Sequence, residues 1–181
     1  MNIVIIGAGK IGATLTEQLL REGHEITVVD TRTAALDAIG NTLDVMTVEG
    51  NGISMDTQVE AGVPSADLVI AVMSTDEQNL LSCLIAKRLG VGNTIARVRN
   101  PSYSHELDFI KKQIGISAII NPEMAAAREI SHLLRFPGAS KIDTFADGRV
   151  RLIKFTLTDA QELDGVAIHE IPTRLKSDIL V

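Results

Sequence analysis

Ile3-Val4-Ile5-Ile6-Gly7-Ala8-Gly9-Lys10-Ile11-Gly12 carries an apolar β-branched run straight into glycines at GxGxxG spacing. The next apolar run, Ile26-Thr27-Val28-Val29, closes on an acid, Asp30. Strand, glycine turn, helix, strand and acid in that order are the fingerprint of a dinucleotide-binding βαβ unit. Gly7 permits the tight turn, Gly9 lets the backbone approach a pyrophosphate, and Gly12 lets helix and strand pack closely. The phosphates are expected on the first amides of a helix that starts near Lys10, where unpaired N–H groups and the helix dipole favour an anion. Asp30 follows the glycines by about 20 residues, the distance the fingerprint requires. Its carboxylate can accept from both ribose hydroxyls and would repel a 2′-phosphate, which favours NAD(H) over NADP(H); Arg32 nearby moderates that preference.

The chain of 181 residues suits one domain, or one domain and part of another. Hydrophobic residues make up 45% and aromatics only 3%, with no Trp, so the core must be aliphatic. A net charge of −6 argues against a nucleic-acid binder, which needs a basic face. The lone cysteine, Cys83, excludes an internal disulfide and falls in an apolar helical stripe with Leu80 and Leu84, as a core residue does. No apolar run approaches the ~18 residues of a membrane span. With a strand expected from Asn2, no signal peptide is expected.

Strands are expected at 2–6, 25–29, 44–48, 68–72, 94–98 and 117–120, with helices near 11–21, 33–40, 54–61, 76–89 and 102–114. Several strands are apolar almost throughout, which suits a parallel sheet covered on both faces. Gly23, Gly40, Gly62, Gly90 and Gly115 fall at or just past helix ends, where a left-handed cap is wanted. Thr75 or Asp76 can cap the fourth helix, and Asn100-Pro101 is expected to open the fifth. The crossover rule then gives a doubly wound, six-stranded Rossmann-like α/β sheet ordered 3-2-1-4-5-6. After Ile120 the character changes. Asn121-Pro122 opens a helical pattern (Met124, Ala127, Ile130, Leu133, Leu134) that stops at Phe136-Pro137-Gly138, and 149–158 alternates in part. Asp164-Gly165 reads as a turn, and Ile179-Leu180-Val181 ends the chain as an apolar run with no partner. The expected division is a nucleotide domain at 1–121, a crossover helix and turn at 122–138, and a truncated α+β segment at 139–181.

Ligands of open parallel sheets bind beyond the carboxyl ends of the strands, which selects candidates directly. They are Gly7, Ala8, Gly9, Lys10, Ile11 and Gly12 after the first strand, and Asp30 after the second. After the third, Asn51 either bonds an adenine edge or makes a turn. After the fourth come Met73 and Ser74, the serine facing ribose or pyrophosphate or else capping a helix. At the fifth, Arg97 either reaches the phosphates or is structurally paired. Lys10 sits beside the phosphates or points into solvent. Glu123 complements a helix dipole or touches a ligand or metal. The histidines (His24, His105, His132 and His169) are scattered at no metal-ligand spacing, and no Ser or Cys has a paired base. A sensor is expected rather than a catalyst. An oxidoreductase would need a substrate domain with a positioned acid or base.

The stretches MNIVIIGAGKIGATLTEQLL, ITVVDT, VEGNG, DLVIAVMSTDEQNL, TIARVRNPSY and INPE occur in one order that resembles the regulatory subunits of Trk-type potassium uptake systems (TrkA-like), built on the RCK/KTN domain. The resemblance covers Met1 to about Phe136, and the tail RVRLIKFTLTDAQELDGVAIHEIP resembles the start of the family's C-terminal domain. It implies a cytoplasmic, non-enzymatic protein that binds NAD(H), and in some relatives ATP or ADP. It also implies dimers within a ring beneath a potassium-translocating, TrkH-like membrane subunit. The family positions carried over are the Gly7–Gly12 loop, Asp30, Met73-Ser74 and Arg97. A basic residue at the place of Lys10 accompanies ATP binding in relatives, and the helix from Pro122 would pack on a neighbouring subunit. The same domain also serves other cation channels and antiporters.

Overall fold

The computed structural model describes residues 1–103, 106–135, 139–145, 149–155 and 165–175. Six parallel strands form one sheet: β1 (Asn2–Ile6), β2 (Glu25–Asp30), β3 (Met46–Glu49), β4 (Leu68–Ala71), β5 (Asn93–Arg97) and β6 (Ala118–Ile120), in the order β3-β2-β1-β4-β5-β6. Between them run α1 (Lys10–Arg21), α2 (Thr33–Gly40), α3 (Met55–Glu60), α4 (Asp76–Arg88) and α5 (Leu107–Ile114). The expected doubly wound topology is the one observed. A helix α6 (Pro122–Arg135) follows β6, then an antiparallel pair β7 (Ala139–Phe145) and β8 (Val150–Phe155), and a short helix α7 (Ile171–Leu175). Two compact units divide the chain within α6, Met1–Ala125 and Ala126–Val181.

The alternation of side chains along a strand explains why β1 reads as continuously apolar. Ile3 and Ile5 join Ile26, Val28, Ile70, Leu36 and Ile39 on the face covered by α1 and α2. Val4 and Ile6 join Val29, Val48, Val69 and Ala86 on the opposite face. Each such Ile or Val contributes about 1.5–3 kcal/mol of burial, so the central strand anchors both layers. Cys83 packs with Ala71, Ala96, Val98 and Ile116 in a third cluster, and burial pushes its thiol up to about 12. It is a core residue, as expected.

Several boundaries differ from expectation for local reasons. Pro101 opens a 3-10 turn (Pro101–Tyr103), and α5 begins only at Leu107. Gly23, Gly62, Gly90 and Gly115 take positive φ, whereas Gly40 does not and ends α2 as an ordinary helical residue. The cap of α4 is Thr75, whose hydroxyl accepts from the Gln78 amide. β7 was not anticipated: its Ser140, Lys141 and Asp143 hide the strand period, and Lys141 and Asp143 pair with each other. His105, 136–138, Asp164 and 179–181 lie outside the described residues.

The tightest backbone approach is at the glycine turn. Gly7 has φ +114°, its amide donates to the Val29 carbonyl at 2.7 Å, and a Cβ on it would lie 2.9 Å from the Met73 amide nitrogen. A Cβ on Gly12 would lie 1.8 Å from the Gly7 carbonyl oxygen. Alanine is the better helix former by about 1 kcal/mol, but backbone cannot yield to that contact. Gly12→Ala is therefore expected to cost about 3 kcal/mol or more in urea unfolding; an unchanged or raised midpoint would contradict the packing described.

Candidate functional site

The strand order reverses at β1, flanked by β2 and β4, and a cleft of about 700 Å³ opens beyond the carboxyl ends of these strands. Its walls are Gly7, Gly9, Lys10 and Ile11 from the turn and α1, Asp30, Thr31 and Arg32 after β2, Gly50 to Gly52 after β3, Met73, Ser74 and Gln78 after β4, and Arg97 at the end of β5. Of the expected residues, Gly7, Gly9, Lys10, Ile11, Asp30, Asn51, Met73, Ser74 and Arg97 are thus brought to one place. Ala8 and Gly12 are not in the wall. Ala8 is buried in the core and its amide donates to Asp30, while Gly12 sits behind the turn against Gly7. His24 donates its amide to the Leu19 carbonyl, before β2 and away from the cleft.

The start of α1 is built for an anion. Gly9 is its N-cap with no side-chain cap, and the first turn carries no acid. By contrast α4 starts with Thr75 as cap and Asp76 and Glu77 in its first turn, so its dipole is already answered. A Cβ on Gly9 would meet nothing within 4 Å, although Gly9 borders the cleft. Packing therefore does not exclude a side chain there, and the space that glycine leaves lies beside the cleft at the uncapped start of α1. A pyrophosphate fits this cradle.

Asp30 is a hub. One carboxylate oxygen accepts from the Ala8 amide at 2.7 Å and from Arg32 Nη2 at 3.0 Å. The other accepts from the Arg32 amide and Nε, both at 2.9 Å. Burial works against its charge, but the Arg32 side chain, the Ala8 and Arg32 amides and the Arg32 charge outweigh it, so the carboxyl lies below its ordinary value. The acid expected at the ribose therefore also fastens the glycine turn, and a ribose hydroxyl would exchange with the exposed Arg32.

Asn51 accepts the Ile53 amide through its side-chain oxygen, the turn geometry weighed for it, while also lining the cleft. Ser74 is not the α4 cap; its carbonyl accepts from Arg99 Nη2. Arg97 donates to Glu123, and Arg99 pairs with Asp76. Among the described residues nothing accepts from the buried Nε of Arg97. Partial desolvation opposes ionisation of Glu123, but its own amide, the Arg97 bond and the charges of Arg97 and Arg99 hold its carboxyl below the usual value.

Sequence reasoning missed the braces behind the cleft. Asn79, 1% exposed, accepts the Met73 amide at 2.7 Å and donates to the Arg97 carbonyl at 2.9 Å, joining the ends of β4 and β5. Asp76 accepts the Arg99 and Asn100 amides at 2.9 and 2.7 Å. Gln58, fully buried, donates to the Gly52 and Ser82 carbonyls, and Ser82 also donates to Gly52, fixing the loop after β3. The available signal was Asn79 and Ser82 recurring at helical spacing with buried Cys83 and Ala86.

A Rossmann-type sheet with an uncapped glycine turn and an acid after β2 is the architecture of the dinucleotide-binding βαβ fold class. Residues 3–122 match the TrkA-N domain family, and the chain belongs to it. It is 34% identical over 171 residues to a Trk system potassium uptake protein TrkA homolog of Archaeoglobus fulgidus, covering 94% of this chain and 39% of that protein. It is 31% identical over 161 residues to a Trk system potassium uptake protein TrkA homolog of Methanothermobacter thermautotrophicus, covering 89% of this chain and 73% of that one. The chain thus spans less than two fifths of the Archaeoglobus relative. These relatives are named for potassium uptake, not for a reaction. The GsuK channel bound to NAD shares the fold at a TM-score of 0.65 and 20% identity, over 81% of this chain and 25% of that one. The same protein bound to ADP gives 0.56 at 22% identity, over 66% and 31%.

The lowered carboxyl of Asp30 has a pH consequence. A group whose folded pKa lies below its unfolded value of about 3.9 stabilises above that value, and the gain is lost as pH falls through the folded pKa. Asp30→Asn is expected to flatten the acid limb of stability below about pH 4 in urea titrations. An acid limb identical to that of the unsubstituted protein would contradict this.

Proposed function

We propose that the cleft binds an adenine nucleotide, NAD(H) first, and that the chain is the nucleotide-sensing part of a regulator of potassium transport. The observation that carries this is the start of α1: an uncapped, acid-free helix N-terminus beneath a glycine whose missing side chain opens onto the cleft. Gly7, Gly9 and Lys10 would hold the pyrophosphate, and Asp30 the adenosine ribose after exchange with Arg32. Asn51 would stand at the adenine edge, and Met73, Ser74 and Arg97 at the far end. Lys10 suits the additional phosphates of ATP or ADP at the same place. The GsuK structures bound to NAD and to ADP support the ligand class, and the names of the relatives support the process.

Such a protein senses by binding, with no bond made or broken in the nucleotide. A ligand shifts an equilibrium between two assemblies only by its unequal affinity for them, and a coupling of ~1–3 kcal/mol gives substantial control. The partners proposed are further copies of this chain, paired and closed into a ring, and a potassium-translocating membrane protein above it on the cytoplasmic side. Among the described residues no helix is long and apolar enough to cross a membrane, so the membrane contact is assigned to that partner.

Calorimetric titration tests the reading. The chain is expected to bind NAD+ or NADH saturably. Gly9→Ala should cost no more than the ~1 kcal/mol of a poorer N-cap in urea unfolding, because its methyl meets open space, yet lose about tenfold or more in affinity, or about 1.4 kcal/mol. Indifference of the folded protein to NAD+, NADH, ATP and ADP alike would overturn it, as would rapid turnover of the nicotinamide.

A further inference from the structure

Arg97 ends β5 with its side chain 12% exposed and stands in the wall of the cleft. A guanidinium so enclosed needs an anionic partner. Its Nη2 has one in Glu123, which reaches it from the first turn of α6 with a side chain 54% exposed and which is not itself part of the cleft wall. Its Nε has none among the described residues, although it too is out of solvent. The neighbouring Arg99 is engaged differently, by the Ser74 carbonyl and by Asp76, whose side chain is 7% exposed. Arg97 is thus a half-buried cation whose balancing charge comes from a half-solvated acid on another element, with its buried Nε unpartnered among the described residues.

We propose that Glu123 is a resident counter-anion which an incoming nucleotide phosphate displaces from Arg97, so that this acid sets the affinity of the cleft for phosphate-bearing ligands. The inference rests on the nucleotide reading of the cleft. A phosphate can accept from both Nη2 and Nε, whereas Glu123 engages Nη2 only, and arginine–phosphate pairs with two parallel N–H bonds are among the stronger charge-assisted contacts. The displaced carboxylate loses little. It is half-exposed already, and it stays in the first turn of α6, where the helix dipole favours an acid. Filling the cleft therefore exchanges a tie between β5 and the start of α6 for a bond to ligand. The sign of the effect distinguishes this role from a bracing one. An acid that merely braces Arg97 helps the ligand, while a counter-anion competes with it.

The test is calorimetry on the full chain with NAD+ and with adenosine, which lacks phosphate, for the unsubstituted protein and Glu123→Gln. The amide keeps the length of the side chain and removes its charge. NAD+ is expected to bind about three- to tenfold tighter to Glu123→Gln, the scale of a partly solvated ion pair, while adenosine changes less than about twofold. Glu123→Ala should shift NAD+ in the same direction and serves if the glutamine variant does not fold. Unchanged or weaker NAD+ binding by a folded variant overturns the counter-anion role and leaves the nucleotide reading standing. An unsubstituted protein that binds neither ligand overturns both. Failure of both variants to fold would make the acid structural and overturn the role as well.

Discussion

The contact on which the structure most depends is between two pieces of backbone, the carbonyl of Gly7 and the third residue of α1, Gly12. Any side chain at Gly12 would collide with that carbonyl, and any side chain at Gly7 would press on the backbone between Val72 and Met73. Two absent side chains thus let α1 settle against β1 and β4 at the point where the sheet reverses its order. The consequence is chemical as well as mechanical, because the same approach aims the free amides of α1 into the cleft. The fold supplies a partial positive charge at its centre from backbone amides, beside the side chain of Lys10.

Around that centre the cleft is held by polar braces, most of them behind its wall. Asn79 joins the ends of β4 and β5, Gln58 and Ser82 fasten Gly52, and Asp30 fastens the amide of Ala8. A buried amide that satisfies backbone groups on two strands fixes their relative position more sharply than apolar packing does. Two of the cations in the cleft wall, Arg32 and Arg97, are each balanced by an acid. Both pairs involve an exposed or half-exposed member, so they can be exchanged for ligand contacts at modest cost. Rigid braces behind and exchangeable pairs in front suit the reversible nucleotide binding proposed for this cleft.

How much of this was legible in the chain follows from which interactions are local. The βαβ start was readable because a strand, a tight turn and a helix N-terminus each impose a residue type within a few positions, and the order of the sheet followed from apolar runs and crossover geometry. Asp30 was readable by its distance from the glycines, but its bond to Ala8 was not, since the spacing motif accounts for the acid without any contact to the turn. Asn79 and Gln58 were invisible because a polar residue in a helix ordinarily marks the solvent face, and only the packing of α3 and α4 inverts that. The late start of α5 was missed because Pro101 fits a 3-10 turn as well as the first turn of an α-helix. β7 was missed because a strand in a two-stranded pair has little burial to impose a period on its residues.

The most direct measurement is a crystal structure of the chain grown with saturating NAD+. Density for the pyrophosphate over the amides that follow Gly9, with the adenosine ribose at Asp30 and Arg32 moved aside, is the result predicted. A nucleotide lying anywhere else on the molecule, or a cleft without one at saturation, would contradict it.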